Sequence, residues 1–293
     1  MPKNSNVLGE TLTLIEAHLK EEMDSEKLAK KLHLSEGHLR RLFKKEFDIS
    51  LASYIRSRKL AHSLELLQDL RLSVLEVALQ SGFSYAQPYI RAFKSEYGMT
   101  PSAMWESGQV VKVTPPLRLN ETNPAKSSNS FGPEIVYVTG FDLIGKTHRI
   151  PEEAPASVPA SLAYDFYFKE RGKFEAFKHK NVYFGLTYLV EEDYSLYTTS
   201  FLYEGERVPA SHYKKIYVPS GTYVKFQYIG HHDAKNLNAN AMKGMYEAIR
   251  DFEESQGVFH KSLGHNKRGY YFEKITQDGA SVKVEWFSPV FEK

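Results

Sequence analysis

The pattern Arg-x-Phe-Lys occurs twice, at Arg41–Lys44 and at Arg91–Lys94. Each copy follows an alanine (Ala29, Ala78), an apolar anchor five residues further on (Leu34, Phe83) and a serine (Ser35, Ser84). A guanidinium fork binds phosphate oxygens or the O6/N7 edge of guanine. Arg40, Arg41 and Arg91 are therefore candidates for base or phosphate contacts and Gln87 for a base contact. Lys44 and Lys45 suit phosphate or solvent. Other patterns invite chemistry and fail to carry it. In His231-His232-Asp233 neighbouring side chains diverge and the segment precedes a helix, so Asp233 or His232 serves as a cap rather than a metal ligand. Ser211-His212-Tyr213-Lys214 fits S-x-x-K but precedes a strand and lacks the companion motifs of that enzyme class. His260 and His265 have no H-E-x-x-H around them, and no phosphate-binding glycine loop occurs. No catalytic residue, metal or cofactor is assigned.

The elements that must position the arginines read as helices over the first 110 residues. Leu8, Leu12, Ile15 and Leu19 recur at helical spacing. Short helices start near Ser25 and after Ser35 and Ser73, and a longer one, Tyr54 to Leu67, turns Tyr54, Ile55, Leu60, Leu64 and Leu67 inward. Pro88 belongs in a first turn, so the last helix starts at Tyr85 or Ala86 and ends near Gly98. A small alanine at a tight turn, an apolar anchor and a projecting second helix make up a helix-turn-helix. Two copies joined by a helix about 21 Å long would place their second helices roughly 34 Å apart, one turn of duplex DNA. Ser35 to Leu60 holds seven basic residues (Arg40, Arg41, Lys44, Lys45, Arg56, Arg58, Lys59) against three acidic (Glu36, Glu46, Asp48), a local +4 in a chain of net charge +2. Glu21, Glu22 and Asp24 are expected to face away from DNA.

The 293 residues suffice for two domains and contain no cysteine, which excludes disulfides, thiolate metal sites and Cys nucleophiles. No apolar run spans a membrane and no signal peptide opens the chain, so a soluble cytoplasmic protein is expected. Of the 39 aromatic residues, 9 fall in residues 1–110 and 30 in 111–293. The expected domains are 1–108, a linker at 109–132 rich in Pro, Asn and Ser, and 133–293. In the last, a strand or strand pair (Ile135–Ile150), a helix (Leu162–Phe177) and strands at Val182–Val190 and Leu196–Tyr203 flank a turn at Glu191–Tyr194. A strand (Thr222–Ile229), a helix (Lys235–Glu254) and strands at Tyr270–Ile275 and Val282–Val290 follow. That order makes two βαββ units with a cleft at their join.

Leu28-Ala29, Arg41-Leu42-Phe43-Lys44, Tyr54-Ile55, Arg58, Val77-Ala78, Gly82-Phe83, Arg91, Phe93-Lys94 and Thr100-Pro101 resemble the AraC/XylS family of bacterial transcription regulators over residues 6–106. The resemblance implies an all-α domain with two helix-turn-helix units. Base contacts fall at Gly37, Arg40 and Arg41 and at Ala86, Gln87, Ile90 and Arg91, although Gly37 offers no side chain. Val218–Tyr223, Tyr271-Phe272-Glu273 and Val284–Val290 resemble the GyrI-like effector-binding domain, and the whole chain is similar to the Rob type of the family. This implies an activator, with double-stranded DNA, RNA polymerase and a small apolar or cationic effector as partners, no membrane association and no enzymatic activity. The alternatives for the second domain are a small-molecule hydrolase or a protein-interaction module. The expected effector device is a glutamate among aromatic faces. Glu273 is preferred over Glu285, with Tyr183, Tyr188, Tyr228, Tyr271 and Trp286 as lining residues.

Overall fold

The inward residues of the helical segments converge on one central helix. The computed structural model describes residues 2–106, 108–119, 130–151, 153–154, 157–170, 181–189, 193–205, 212–238, 240–256 and 269–290. The chain divides into two compact units, Met1–Asn123 and Pro124–Lys293. In the first, α1 (Pro2–Ala17), α2 (Ser25–Lys31) and α3 (Glu36–Phe47) precede α4 (Leu51–Leu66); α5 (Val74–Gln80) and α6 (Ala86–Tyr97) follow it. Asp24, Ser35, Ser50 and Ser73 cap α2 to α5 by accepting backbone N–H groups. Leu8, Leu12 and Ile15 pack with Leu28, Leu39, Phe43, Tyr54 and Ile55.

Helix α4 is buried nearly all round, including Ser57, Arg58, Lys59 and Ser63. A polar helix survives such burial only if each polar group finds a partner. Arg58 makes a two-pronged pair with Glu16 of α1 (Nε–Oε1 and Nη2–Oε2, both 2.8 Å) and donates to Thr114 O at 2.7 Å. Ser63 Oγ accepts from Tyr89 Oη at 3.1 Å. The stretch expected to be a linker starts as part of this unit. Tyr54 Oη accepts the Leu117 N–H at 2.9 Å, and Leu117 and Leu119 pack on the core of α1 to α4. A 3-10 turn (Pro101–Trp105) precedes that stretch, and a short strand β1 (Val110–Lys112) lies at its start.

In the second unit the elements run β2 (Glu134–Val138), β3 (Phe141–Pro151), α7 (Ser157–Glu170), β4 (Val182–Leu189), β5 (Tyr194–Leu202), β6 (Lys214–Val218), β7 (Gly221–Gly230), α8 (Lys243–Gln256), β8 (Tyr270–Asp278) and β9 (Ser281–Pro289). Each half therefore holds two strands ahead of its helix, not the one that a βαββ order expects. Ile135–Ile150 holds two strands that do not pair with each other, β2 bonding to β7 and β3 to β5 and β6, and β6 was missed because Lys214 and Lys215 break its apolar alternation. Those lysines suit its place at a sheet edge. The strands bond in the order β2-β7-β9-β8-β4-β5-β3-β6. Helix α8 starts at Lys243 rather than Lys235. Asn238 Oδ1 accepts the N–H groups of Asn240 and Ala241, holding the chain in a turn that delays the helix. Residues 171–177, 191–192, Ser211, His260 and His265 lie outside the described residues. Helices α7 and α8 supply Ala163, Phe166, Tyr167, Met245, Ala248 and Ile249 to one core against the sheet.

Candidate functional sites

The two helix pairs, α2/α3 and α5/α6, share a skeleton. The Leu34 N–H donates to Ala29 O at 2.9 Å and the Phe83 N–H to Ala78 O at 3.0 Å. The residue before each anchor is left-handed, His33 at φ 56° and Gly82 at φ 70°. Leu39 and Phe43 on α3, and Tyr89 and Phe93 on α6, are fully buried. The outer faces carry the candidate reading residues. Gly37, Arg40, Arg41, Lys44 and Lys45 on α3 and Gln87 and Arg91 on α6 are exposed, whereas Ala86 and Ile90 are half-buried. A methyl group on Gly37 would lie 3.5 Å from Arg41 Nη1. That is ordinary contact, so the Arg41 guanidinium reaches back along α3 to Gly37 without requiring a glycine there. Arg40 stands 3.7 Å from Glu36, and Lys44 donates to Asp48 O at the end of α3. Among the described residues Arg41, Lys45 and Arg91 make no ion pair.

The local +4 is smaller at the surface than along the chain. Arg58 is paired inside, and Lys59 is 6% exposed, donating to Met23 O at 3.1 Å and Gly82 O at 2.9 Å. Burial pushes the Lys59 ammonium down from its ordinary range, and the Glu22 carboxylate pushes it back. Glu22 was expected to face away; it accepts a 2.6 Å bond from Ser84, in the turn ahead of α6. Ser84 consequently does not cap α6, and Tyr85 occupies the cap position without a side-chain bond.

In the second unit, register settles which rings share a face. Glu273 stands opposite Gly185 on β4 and Trp286 on β9. Thr187 pairs with Tyr271 and with Tyr197, and Tyr183 with Ile275, so all of these point to the face covered by α7 and α8. Burial alone raises the Glu273 carboxyl to about 7. Tyr183, Tyr197 and Tyr246 surround it. Burial, then neighbouring groups that include Glu273, hold their hydroxyls well above the ordinary range; Tyr271 rises to about 12 in the same way. A Cβ at Gly185 would collide with Tyr197 Oη, so this glycine admits the hydroxyl beside Glu273. Tyr197 Oη is buried without a hydrogen-bond partner among the described residues. Next to Trp286, Phe226, Ile249, Phe252 and Glu253 line a shallow seam between β7, β9 and α8 that leaves no room for a water molecule.

Two expectations are corrected by the same register. Glu285 pairs across from Lys274 and points to the opposite face, where Lys283 (2.8 Å) and Lys225 (3.7 Å) neutralise it. Tyr188 pairs across from Tyr270 and also lies away from Glu273. Tyr228 stays on the helix-covered face, its hydroxyl bonded to His232 Nε2 at 2.8 Å. Tyr197, Tyr246 and Gly185 were missed, since only strand pairing and helix docking bring them to Glu273. Asp233 caps a 3-10 turn at Ala234–Asn236. Among the described residues no group of three or more acidic or histidine side chains is placed to hold a metal, and no helix is long and apolar enough to cross a membrane.

Paired helices with buried aromatic rows and outward arginines define a DNA-binding module. Residues 28–107 match the family model described as a helix-turn-helix domain. The chain is 32% identical over 147 residues to the right origin-binding protein of Escherichia coli K12, covering 49% of this chain and 48% of that protein. It is 33% identical over 105 residues to the probable transcription factor PqrA of Proteus vulgaris, covering 35% of this chain and 86% of that protein. A solved structure, the C-terminal domain of the response regulator yesN from Fusobacterium nucleatum, is 31% identical with a TM-score of 0.34, covering 35% of this chain and all of that one. The chain belongs to the AraC family of DNA-binding transcription regulators. It spans about half the length of the Escherichia coli relative.

Proposed function

We propose that the first unit reads DNA as a tandem helix-turn-helix, with α3 and α6 in successive major grooves. The second unit, a GyrI-like domain of two related halves, would hold a small apolar or cationic effector and adjust an activator's contact with RNA polymerase. The observation that carries the DNA reading is the exposure of Arg41 and Arg91, without ion pairs among the described residues, at matching places on two helices. The test is fluorescence anisotropy on a duplex selected by the protein from a random pool. Arg41→Ala and Arg91→Ala should each weaken binding about tenfold or more and relax preference at different positions. Undiminished affinity and preference in the double variant would sink the assignment.

For the second unit the supporting feature is Glu273 under Tyr183, Tyr197, Tyr246 and Tyr271. A carboxylate amid rings offers charge and cation–π contact together. The seam beside Trp286 has no room for a ligand as it stands, so any effector would need α8 to move off the sheet. Because the carboxyl titrates near 7, a lipophilic cation should bind more tightly at pH 8 than at pH 6, and Glu273→Gln should abolish that difference. The same titration favours one alternative, a hydrolase using Glu273 as acid or base. Product formation that is lost in Glu273→Gln would select it; binding without turnover selects the effector site.

A further inference from the structure

The loop ahead of α2 and the turn ahead of α6 touch one another through Lys59. Its ammonium is buried and donates to one carbonyl on each side, Met23 O at 3.1 Å and Gly82 O at 2.9 Å. The backbones meet there as closely as they can. A Cβ on Gly82 would stand 2.1 Å from Glu21 O, and the residue is left-handed at φ 70°, so glycine is required on both counts. Beside it Ser84 Oγ donates to Glu22 Oε1 at 2.6 Å. Two residues past Gly82, therefore, the chain turns into α6 from a point fixed on the loop that leads into α2 and α3.

From this contact we infer that Lys59 is a positioning residue which fixes the spacing of the two DNA-reading helices. The inference rests on the tandem reading above. A long central helix alone leaves two end-mounted helix pairs free to splay. An ammonium shared by two carbonyls resists that motion, because separation would leave three buried polar groups unsatisfied. The reader should then tolerate one distance between half-sites and reject others.

The absence of native cysteine makes the test direct. Spin labels on Glu46→Cys of α3 and Ser95→Cys of α6, both exposed positions, report the distance between the helices in the full chain. The parent should give one narrow distribution. Lys59→Met, which keeps the stem and removes the donor, should at least double its width with helix content unchanged. On a duplex selected by the parent from a random pool, one base pair inserted between the half-sites should weaken the parent at least tenfold. Lys59→Met should lose most of that penalty while binding a single half-site within about threefold of the parent, which simple loss of stability would not produce. A folded Lys59→Met with the parent's distribution and penalty overturns the proposal. Should it not fold, Glu22→Gln with Ser84→Ala is measured instead, and the same unchanged result overturns it. A parent indifferent to the inserted base pair refutes the two-groove reading, and the label distances still decide the clamp.

Discussion

The two units bury charge in opposite ways. In the helical unit Arg58 and Lys59 lie inside α4, and each is matched: Arg58 by Glu16 and Thr114 O, Lys59 by two carbonyls. In the sheet unit Glu273 lies among tyrosines, and among the described residues no cation pairs with it and the neighbouring Tyr197 hydroxyl has no hydrogen-bond partner. A buried charge with partners holds elements in place, because removing either side strands the other. A half-buried carboxyl without one is pushed toward its neutral form by its surroundings and would gain from a ligand that brings a positive charge. The first arrangement holds helices in place, and the second suits the cationic effector proposed above.

The sharpest way to break this contrast is Arg58→Met. It strands Glu16 and frees the Thr114 carbonyl, so urea unfolding should show a loss of about 3 kcal/mol; a loss below about 1 kcal/mol would mean that the pair is not structural. Glu273→Gln should act with the opposite sign. The carboxyl rises from 4.5 to about 7 on folding, so the folded state binds the proton more tightly. Its favourable contribution is complete below pH 4.5 and is lost as pH rises through 7. The variant should therefore match the parent near pH 4.5 and exceed it by roughly 3 kcal/mol at pH 8. A constant difference across that range would show that Glu273 does not titrate there. Glu285→Gln should do least. Lys225 keeps Glu134 at 2.7 Å, so a loss of about 1 kcal/mol or less is expected in urea unfolding.

The helical unit was legible because its information is local. The spacing from Ala29 to Leu34 and from Ala78 to Phe83 spells a turn whose closing hydrogen bond lies within six residues, and serines announce the helix starts. The missing part was long-range. Arg58 and Lys59 count as surface charge in any window along the chain, and only the packing of α1 and α5–α6 around α4 takes them inside. Glu22 looked remote from the reading helices until the fold brought Ser84 to it.

The sheet was harder to read for the same reason, magnified. Glu273 and Glu285 both lie in aromatic strands, and nothing in their flanks ranks them decisively. The β8–β9 hairpin does. Asp278 pairs with Ser281 across a two-residue turn in which Gly279 has φ 55°, and that register sets Glu273 against Trp286. Slipping it by one residue would exchange the faces. The sequence by itself determined the run of helices, the caps at Ser35 and Ser73, the paired turns, the outward arginines and the aromatic wealth of the second half, because periodicity and capping act over a few residues; α4 starts three residues earlier than its apolar pattern, at Leu51 behind a Ser50 cap. Tertiary structure alone decided which charges are partnered, which glutamate meets the tyrosines and which rings stand beside it. Those outcomes depend on contacts between segments far apart in the chain, whose approach no short window encodes.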